Sequence, residues 1–215
     1  MALLFLDLDN TLLDRDGAFR SAAVAFLAEH GLPSADVEWL ASVDASGYTL
    51  RSVVGDALLE RHPSLSAEEV QRFLDNGAAE HVRLADRVRR ALRRATEAGW
   101  TCVVVTNGRT RQQERKLAVS GLDREVSGWA VSQAVGHRKP EREIFAAAAA
   151  SVGARLEDGG WVVGDSPHAD IAGADRLGLP SVWLHLGRQW PADLPFKPTH
   201  IADDLPSALD HLLRG

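Results

Sequence analysis

An apolar run, Leu3-Leu4-Phe5-Leu6, ends in Asp7-Leu8-Asp9-Asn10-Thr11. Read as a strand, its period of two sets Asp7 and Asp9 on one side and Leu8 on the other. Two carboxylates drawn out of water side by side are costly unless a cation or a proton neutralises them. A divalent metal preferring hard oxygen ligands, magnesium above all, would do so. Taken alone, D-x-D-x-T is equally well an Asx-turn or a helix cap. Three later segments shift that balance. Val103-Val104-Val105 leads into Thr106-Asn107-Gly108, Lys139-Pro140 opens a helix-like stretch, and Trp161-Val162-Val163 leads into Gly164-Asp165-Ser166-Pro167, with Asp170 behind. A hydroxyl and backbone N–H groups at a strand-to-helix turn suit phosphoryl oxygens. A lysine adds a point charge for phosphate.

These residues need elements to carry them. After Thr11 no strand pattern returns until Trp100. In between, Phe19, Ala22, Ala23, Phe26 and Leu27 keep helical spacing until Gly31-Leu32-Pro33,. Ser34 is placed to cap a second helix bearing Val37 and Leu40, and Leu50, Val53, Val54, Ala57 and Leu58 form a third stripe. Ser66-Ala-Glu-Glu69 has capping-box spacing before Val70, Phe73 and Leu74,. Residues 15–82 therefore read as an all-helical insertion of about four helices. From Asp86 onward helical and strand patterns alternate, with strands expected at 100–105, 129–132, 161–163, 181–185 and 200–201, and a loop at 187–198 broken by Pro191, Pro195 and Pro198,. Alternation of this kind predicts an α/β fold, a parallel sheet with helices on both faces. In such sheets ligands bind at the C-terminal ends of the strands, where Asp7, Thr106 and Asp165 would stand.

Composition bounds the partners. The 215 residues suffice for one α/β core with a modest insertion, and 45% hydrophobic with 25% charged residues is ordinary for a soluble globular protein,. A net charge of −6 argues against a nucleic-acid or anionic-membrane surface,. Arg87, Arg89, Arg90, Arg93 and Arg94 lie between Asp86 and Glu97 and read as a solvated helix face,. The single cysteine, Cys102, sits in an apolar run and reads as an inert core thiol,. No basic leader precedes the first apolar run and no stretch approaches about 18 apolar residues, so a cytoplasmic protein is expected,. The eight histidines show no paired ligand spacing, so no zinc site is expected,. The six tryptophans read as packing residues,. No Gly-rich nucleotide loop occurs,.

In this order, the four segments resemble the motifs of the haloacid dehalogenase superfamily of aspartate-nucleophile hydrolases. The likeness extends to Gln113, Lys116 and Ile171-Ala172-Gly173-Ala174, nearly the whole chain. It implies a Rossmann-like core of residues 1–14 and 83–215, with 15–82 as a helical cap of the C1 type, inserted after the first strand and hinged over the active site. It further implies phosphate monoester hydrolysis. Asp7 would attack phosphorus to form an aspartyl-phosphate, and Asp9 would protonate the leaving alkoxide and then deprotonate water. Thr106 and the backbone around Asn107 and Gly108 would hold phosphoryl oxygens, and Lys139 would serve both phosphate and nucleophile. Mg2+ would be held by Asp7, the Asp9 carbonyl and Asp165. Asp170 would join them directly or through water, or would only cap a helix. The substrate would be a small phosphorylated metabolite.

Asp9 favours phosphoryl chemistry over carbon–halogen cleavage, because halide leaves without a proton. A phosphomutase would keep every motif and stays an alternative. A phospho-accepting signalling receiver uses similar residues but places its phospho-acceptor on a later strand than the metal acids, and has no room for the insertion. Within the insertion, Asp44-Ala-Ser-Gly47-Tyr48-Thr-Leu-Arg51 breaks the helical pattern. Tyr48 and Arg51 are candidate specificity residues, Arg51 for a second substrate anion. An interhelical turn with a surface arginine explains the same segment.

Overall fold

The computed structural model describes residues 2–214. These form two compact units, one containing everything up to Leu13 and from Leu84 onward, the other Asp14–Arg83. The first is built on six strands: β1 (Ala2–Leu6), β2 (Trp100–Thr106), β3 (Gly128–Val131), β4 (Trp161–Gly164), β5 (Ser181–Leu184) and β6 (His200–Ala202). All pairings are parallel, in the order β3-β2-β1-β4-β5-β6. The order reverses at β1, which lies between β2 and β4, and such a reversal opens a crevice at the C-terminal strand ends,. The near-continuous apolar runs of β1, β2 and β4 reflect burial on both faces of the sheet,.

The Asp14–Arg83 unit contains α1 (Arg15–Glu29), α2 (Asp36–Asp44), α3 (Arg51–Arg61) and α4 (Ala67–Asn76). Phe26 stacks on Phe73 with centroids 4.5 Å apart, tying α1 to α4. The Ser66–Glu69 capping box forms as expected. Ser34, however, is not a side-chain cap. The residue before α2 is Ala35, which makes no side-chain bond, and Ser34 offers only its carbonyl to the Val37 N–H. The α3 stripe is also rotated from its expected position. Its buried residues are Val54, Gly55 and Leu58, whereas Leu50 and Val53 are exposed. Gly55 explains the rotation, since a Cβ there would lie 3.2 Å from Leu74 and 3.5 Å from Val70. The missing side chain lets α3 close on α4 along that line.

The first unit adds α5 (Asp86–Glu97), α6 (Thr110–Ser120), α7 (Ser132–Val135), α8 (Arg142–Ser151), α9 (Ala172–Leu177) and α10 (Leu205–Leu212). Helix α8 covers one sheet face, where Ile144, Phe145, Ala148 and Ala149 meet Leu3, Phe5, Val103 and Val105. Phe5 and Phe145 meet edge to face at 5.8 Å. Leu4, Leu6, Cys102 and Val104 alternate with that set and are equally buried, so both faces are covered,. Helix α8 begins two residues beyond Pro140, because a turn closed by the Glu141 N–H on the Arg138 carbonyl intervenes.

The α5 arginines are not merely solvated. Arg89 and Arg93 both bind Glu125, Arg87 pairs with Asp204, and Arg94 with Asp210. Residues 187–198 form no helix or strand, as expected. Among the described residues, no helix is long and apolar enough to cross a membrane.

Candidate active site

Asp7 immediately follows β1, Thr106 ends β2 and Asp165 follows β4, so the central strand and its two neighbours deliver three of the expected residues to one sheet edge. The Asp7 N–H still donates to the Val163 carbonyl at 3.0 Å, which extends the β1–β4 ladder to the acid itself. The chain then turns sharply through Asn10, whose φ of 58° lies in the left-handed region. Asparagine tolerates that region better than most residues.

Lys139 reaches this edge from the segment before α8. Its Nζ donates to Asp7 Oδ1 at 2.5 Å and to Asp170 Oδ1 at 2.7 Å. Asn107 fixes the lysine backbone from both sides, its Oδ1 accepting the Lys139 N–H at 2.9 Å and its Nδ2 donating to the Lys139 carbonyl at 3.1 Å. The Asp170 Oδ2 accepts the Ser166 N–H at 2.9 Å, within the turn that follows β4. Gly164 makes this possible, because a Cβ there would fall 2.2 Å from the Asp170 carboxyl.

Asp7, Asp165 and Asp170 are all buried, and one oxygen from each lies within 4.8 Å of the others. Burial pushes the Asp7 carboxyl up to about 8, with Lys139 opposing and Asp170 and Asp165 adding to the rise. Burial and then Asp170 push Asp165 up to about 6 against Arg188. Burial opposes the charge on Lys139, but Asp170 and Asp7 outweigh it and hold the ammonium above its usual range. The trio fits a hard divalent cation: it offers carboxylate oxygens only, and Lys139 and Arg188 supply two positive charges against three carboxylates once all are ionised,. A second group, His137, Glu141 and Glu143, lies at the surface and is joined by a 2.8 Å His137–Glu141 contact.

Asp9 belongs to a separate arrangement. Its carboxylate accepts from Lys116 Nζ at 2.7 and 2.6 Å and from Gln113 Nε2 at 3.1 Å. The same Gln113 amide donates to Thr106 Oγ1 at 2.6 Å. A hydroxyl that accepts this bond keeps its own hydrogen to donate elsewhere. The Gly108 N–H, expected near phosphoryl oxygens, is instead donated to Ser132 Oγ at 2.9 Å.

Sequence reasoning missed two residues around Asp165. Arg188 Nη2 donates to its carbonyl at 2.7 Å and to its Oδ2 at 2.9 Å, and the Trp183 indole donates to the same carbonyl at 2.9 Å. Trp183 therefore does more than pack. Arg188 comes from the irregular 187–198 segment, where no periodicity could have marked it. Tyr48 and Arg51 are in the helical unit, where Tyr48 is exposed and the Arg51 guanidinium donates to the Leu74 carbonyl at the end of α4.

A parallel sheet thus gathers acids, a hydroxyl and a lysine at its switch point, an arrangement that suits phosphoryl chemistry,. The chain belongs to the haloacid dehalogenase-like hydrolase family, whose model matches residues 1–178, and it is an enzyme of that family. It is 27% identical to the glyceraldehyde 3-phosphate phosphatase of Pyrococcus furiosus, over 99% of this chain and 93% of that protein. It is 33% identical to the phosphoserine phosphatase of Thermus thermophilus, but over 45% of this chain and 38% of that protein. The magnesium-bound structure of YfnB from Bacillus subtilis has the same fold, with a TM-score of 0.75 at 24% identity, covering 100% of this chain and 99% of that one. Membership in a hydrolase family sets aside the signalling-receiver alternative.

Proposed function

We propose that this protein is a magnesium-dependent phosphatase of small phosphorylated metabolites, working through an aspartyl-phosphate on Asp7. The observation that carries the reading is the division of labour between two acids two residues apart. Asp7 and Asp170 share Lys139 with Asp165 beside them, while Asp9 is held separately by Lys116 and Gln113. A nucleophile and a proton carrier need that separation.

In the first step an Asp7 oxygen bonds to phosphorus. The bond to the bridging oxygen breaks, its electron pair goes to that oxygen, and Asp9 supplies the proton that completes the alcohol. In the second step water bonds to phosphorus and gives a proton to Asp9. The Asp7–phosphorus bond then breaks and its pair returns to the carboxylate. Lys139 and the Thr106 hydroxyl are suited to hold phosphoryl oxygens throughout, and Asn107 acts on Lys139. Phosphate ester hydrolysis demands roughly 20 kcal/mol of transition-state stabilisation, so charge must be met on several sides. Asp7, the Asp9 carbonyl, Asp165 and Asp170, directly or through water, would hold magnesium. When bound, the ion would offset the buried acids and the phosphoryl charge.

The phosphatase names of the Pyrococcus and Thermus relatives support a phosphorylated metabolite of low mass as substrate. The acidic balance of the chain supports neither nucleic acid nor a membrane as partner, in a cytoplasmic setting,. The helical unit is the expected cap, and Tyr48 and Arg51 are its candidates for choosing the leaving group.

The test is inorganic phosphate release from sugar phosphates, nucleotides, phosphoglycolate, phosphoserine and glyceraldehyde 3-phosphate, with magnesium and with EDTA. Release that stops on chelation and returns with magnesium is expected. Full turnover by metal-free protein overturns the metal assignment. Transfer of the phosphoryl group between sugar positions without phosphate release overturns the phosphatase reading in favour of a mutase.

A further inference from the structure

Of the 24 basic residues in the chain, only Lys116, Lys139 and Lys197 are lysines. Lys197 is exposed, whereas Lys116 and Lys139 are 5% and 3% exposed. Each buried lysine touches a different acid of the Asp7–Asp9 pair. In a chain that otherwise draws its positive charge from arginine, both cations buried beside that pair are thus ammonium groups. An ammonium is a compact point charge, whereas a guanidinium is a planar fork.

Lys116 sits astride the Asp9 carboxylate, within 2.7 Å of both oxygens. Gln113, three residues earlier on the same face of α6, binds Asp9 Oδ2 and Thr106 Oγ1 through one amide nitrogen,. Gly108 leaves room for this reach, since a Cβ there would lie 2.9 Å from the Gln113 side chain. The Asp9 carboxylate is accordingly absent from the Asp7–Asp165–Asp170 group.

We propose that Lys116 is a positioning residue. With Gln113 it holds the Asp9 carboxylate apart from the other three acids and aims it for proton exchange with the bridging oxygen and the attacking water. Lys116 transfers no proton and acts only through the Asp9 carboxylate. The proposal rests on the phosphatase reading above.

The test compares wild type, Asp9→Asn and Lys116→Met on an alkyl phosphate and on para-nitrophenyl phosphate, whose anion leaves without a proton. Alcohol or phenolate release is followed in the first turnover with magnesium present. Lys116→Met is expected to lower the alkyl rate about 100-fold with KM within about threefold. Its loss on the aryl ester should be at least about tenfold smaller. Lys116→Arg is expected not to restore the alkyl rate, because the fork cannot occupy the ammonium's place. If Asp9→Asn discriminates between the esters while Lys116→Met slows both equally or neither, the Lys116 proposal is overturned and the phosphatase reading stands. If Asp9→Asn itself fails to discriminate, the assignment of Asp9 falls. Should Lys116→Met not fold, judged by its melting curve, Gln113→Met takes its place. It is expected to show the same bias toward loss on the alkyl ester, and equal loss on both esters overturns the proposal.

Discussion

Glu125 and Asp7 are both shielded carboxylates of the α/β unit, yet their surroundings act on them in opposite directions. Glu125, its side chain only 6% exposed, accepts from Arg93 Nε and Nη2 at 2.8 Å each and from Arg89 Nη1 at 2.7 Å. Arg93 first, then Arg89, hold its carboxyl down to about 2. Asp7 shares a single ammonium with Asp170, and burial pushes it up to about 8. The first cluster is complete within the chain. The ionised second cluster would carry charge that the chain alone leaves only partly compensated, as the proposed cation site requires and an ion pair that supports the fold does not,.

Removing one charge from each cluster exposes the contrast most strongly. Asp7→Asn is expected to abolish steady-state phosphate release, a loss of at least about 10,000-fold. In metal-free protein at pH 9, above the raised Asp7 value of about 8, the same change should raise the melting temperature by about 2–4 °C, because it deletes a buried charge that is only partly compensated,. A lower melting temperature would place Asp7 with Glu125, as a fold-supporting acid.

Magnesium should act on one cluster only. At about a hundred times its dissociation constant it is expected to stabilise the wild type by about 2.7 kcal/mol. Much less is expected for Asp7→Asn or Asp165→Asn, and thermal melts with and without EDTA measure the difference. An equal shift in all three proteins would locate the metal elsewhere.

The Glu125 cluster is expected to yield a smaller effect, on stability rather than activity. Glu125→Gln should cost about 1–2 kcal/mol at pH 7, less than a fully buried pair because both guanidinium groups are partly in solvent. The sign of the pH dependence follows from the depressed carboxyl. Its contribution is fully present above the ordinary value of 4.5 and is lost as pH falls through about 2,. Urea midpoints of wild type and Glu125→Gln should therefore differ at pH 7 and converge near pH 2. A gap that persists unchanged there would show that packing, and not charge, carries the effect.

The smallest effect is expected in the helical unit. Arg51 already donates to the Leu74 carbonyl, so it has a structural use whatever else it binds. Arg51→Ala is expected to raise KM for the preferred substrate about threefold to tenfold, with a smaller rise for para-nitrophenyl phosphate, which lacks a second anion. Loss of stability with KM unchanged on both esters would make Arg51 a helix-end residue alone.

Much of the candidate site is legible in the residue order alone. Strand runs reveal themselves by apolar continuity, helices by spacing, and Asp7, Asp9, Thr106, Lys139, Asp165 and Asp170 stand at the turns those patterns predict,. Such signals depend on neighbours in the chain, so they survive without tertiary information. Pairing does not. Lys139 meets Asp7 across 132 positions and Lys116 meets Asp9 across 107. Whether those groups touch depends on β2 and β4 flanking β1, and on α6 turning one face toward Asp9. The same holds for the Gly108 N–H taken by Ser132, for Arg188 on Asp165, and for the α5 arginines that find Glu125, Asp204 and Asp210. Residue type and spacing told which groups could do chemistry. Strand order and helix packing decided which cation holds which acid, because charge pairs form between groups close in space however far apart they lie along the chain.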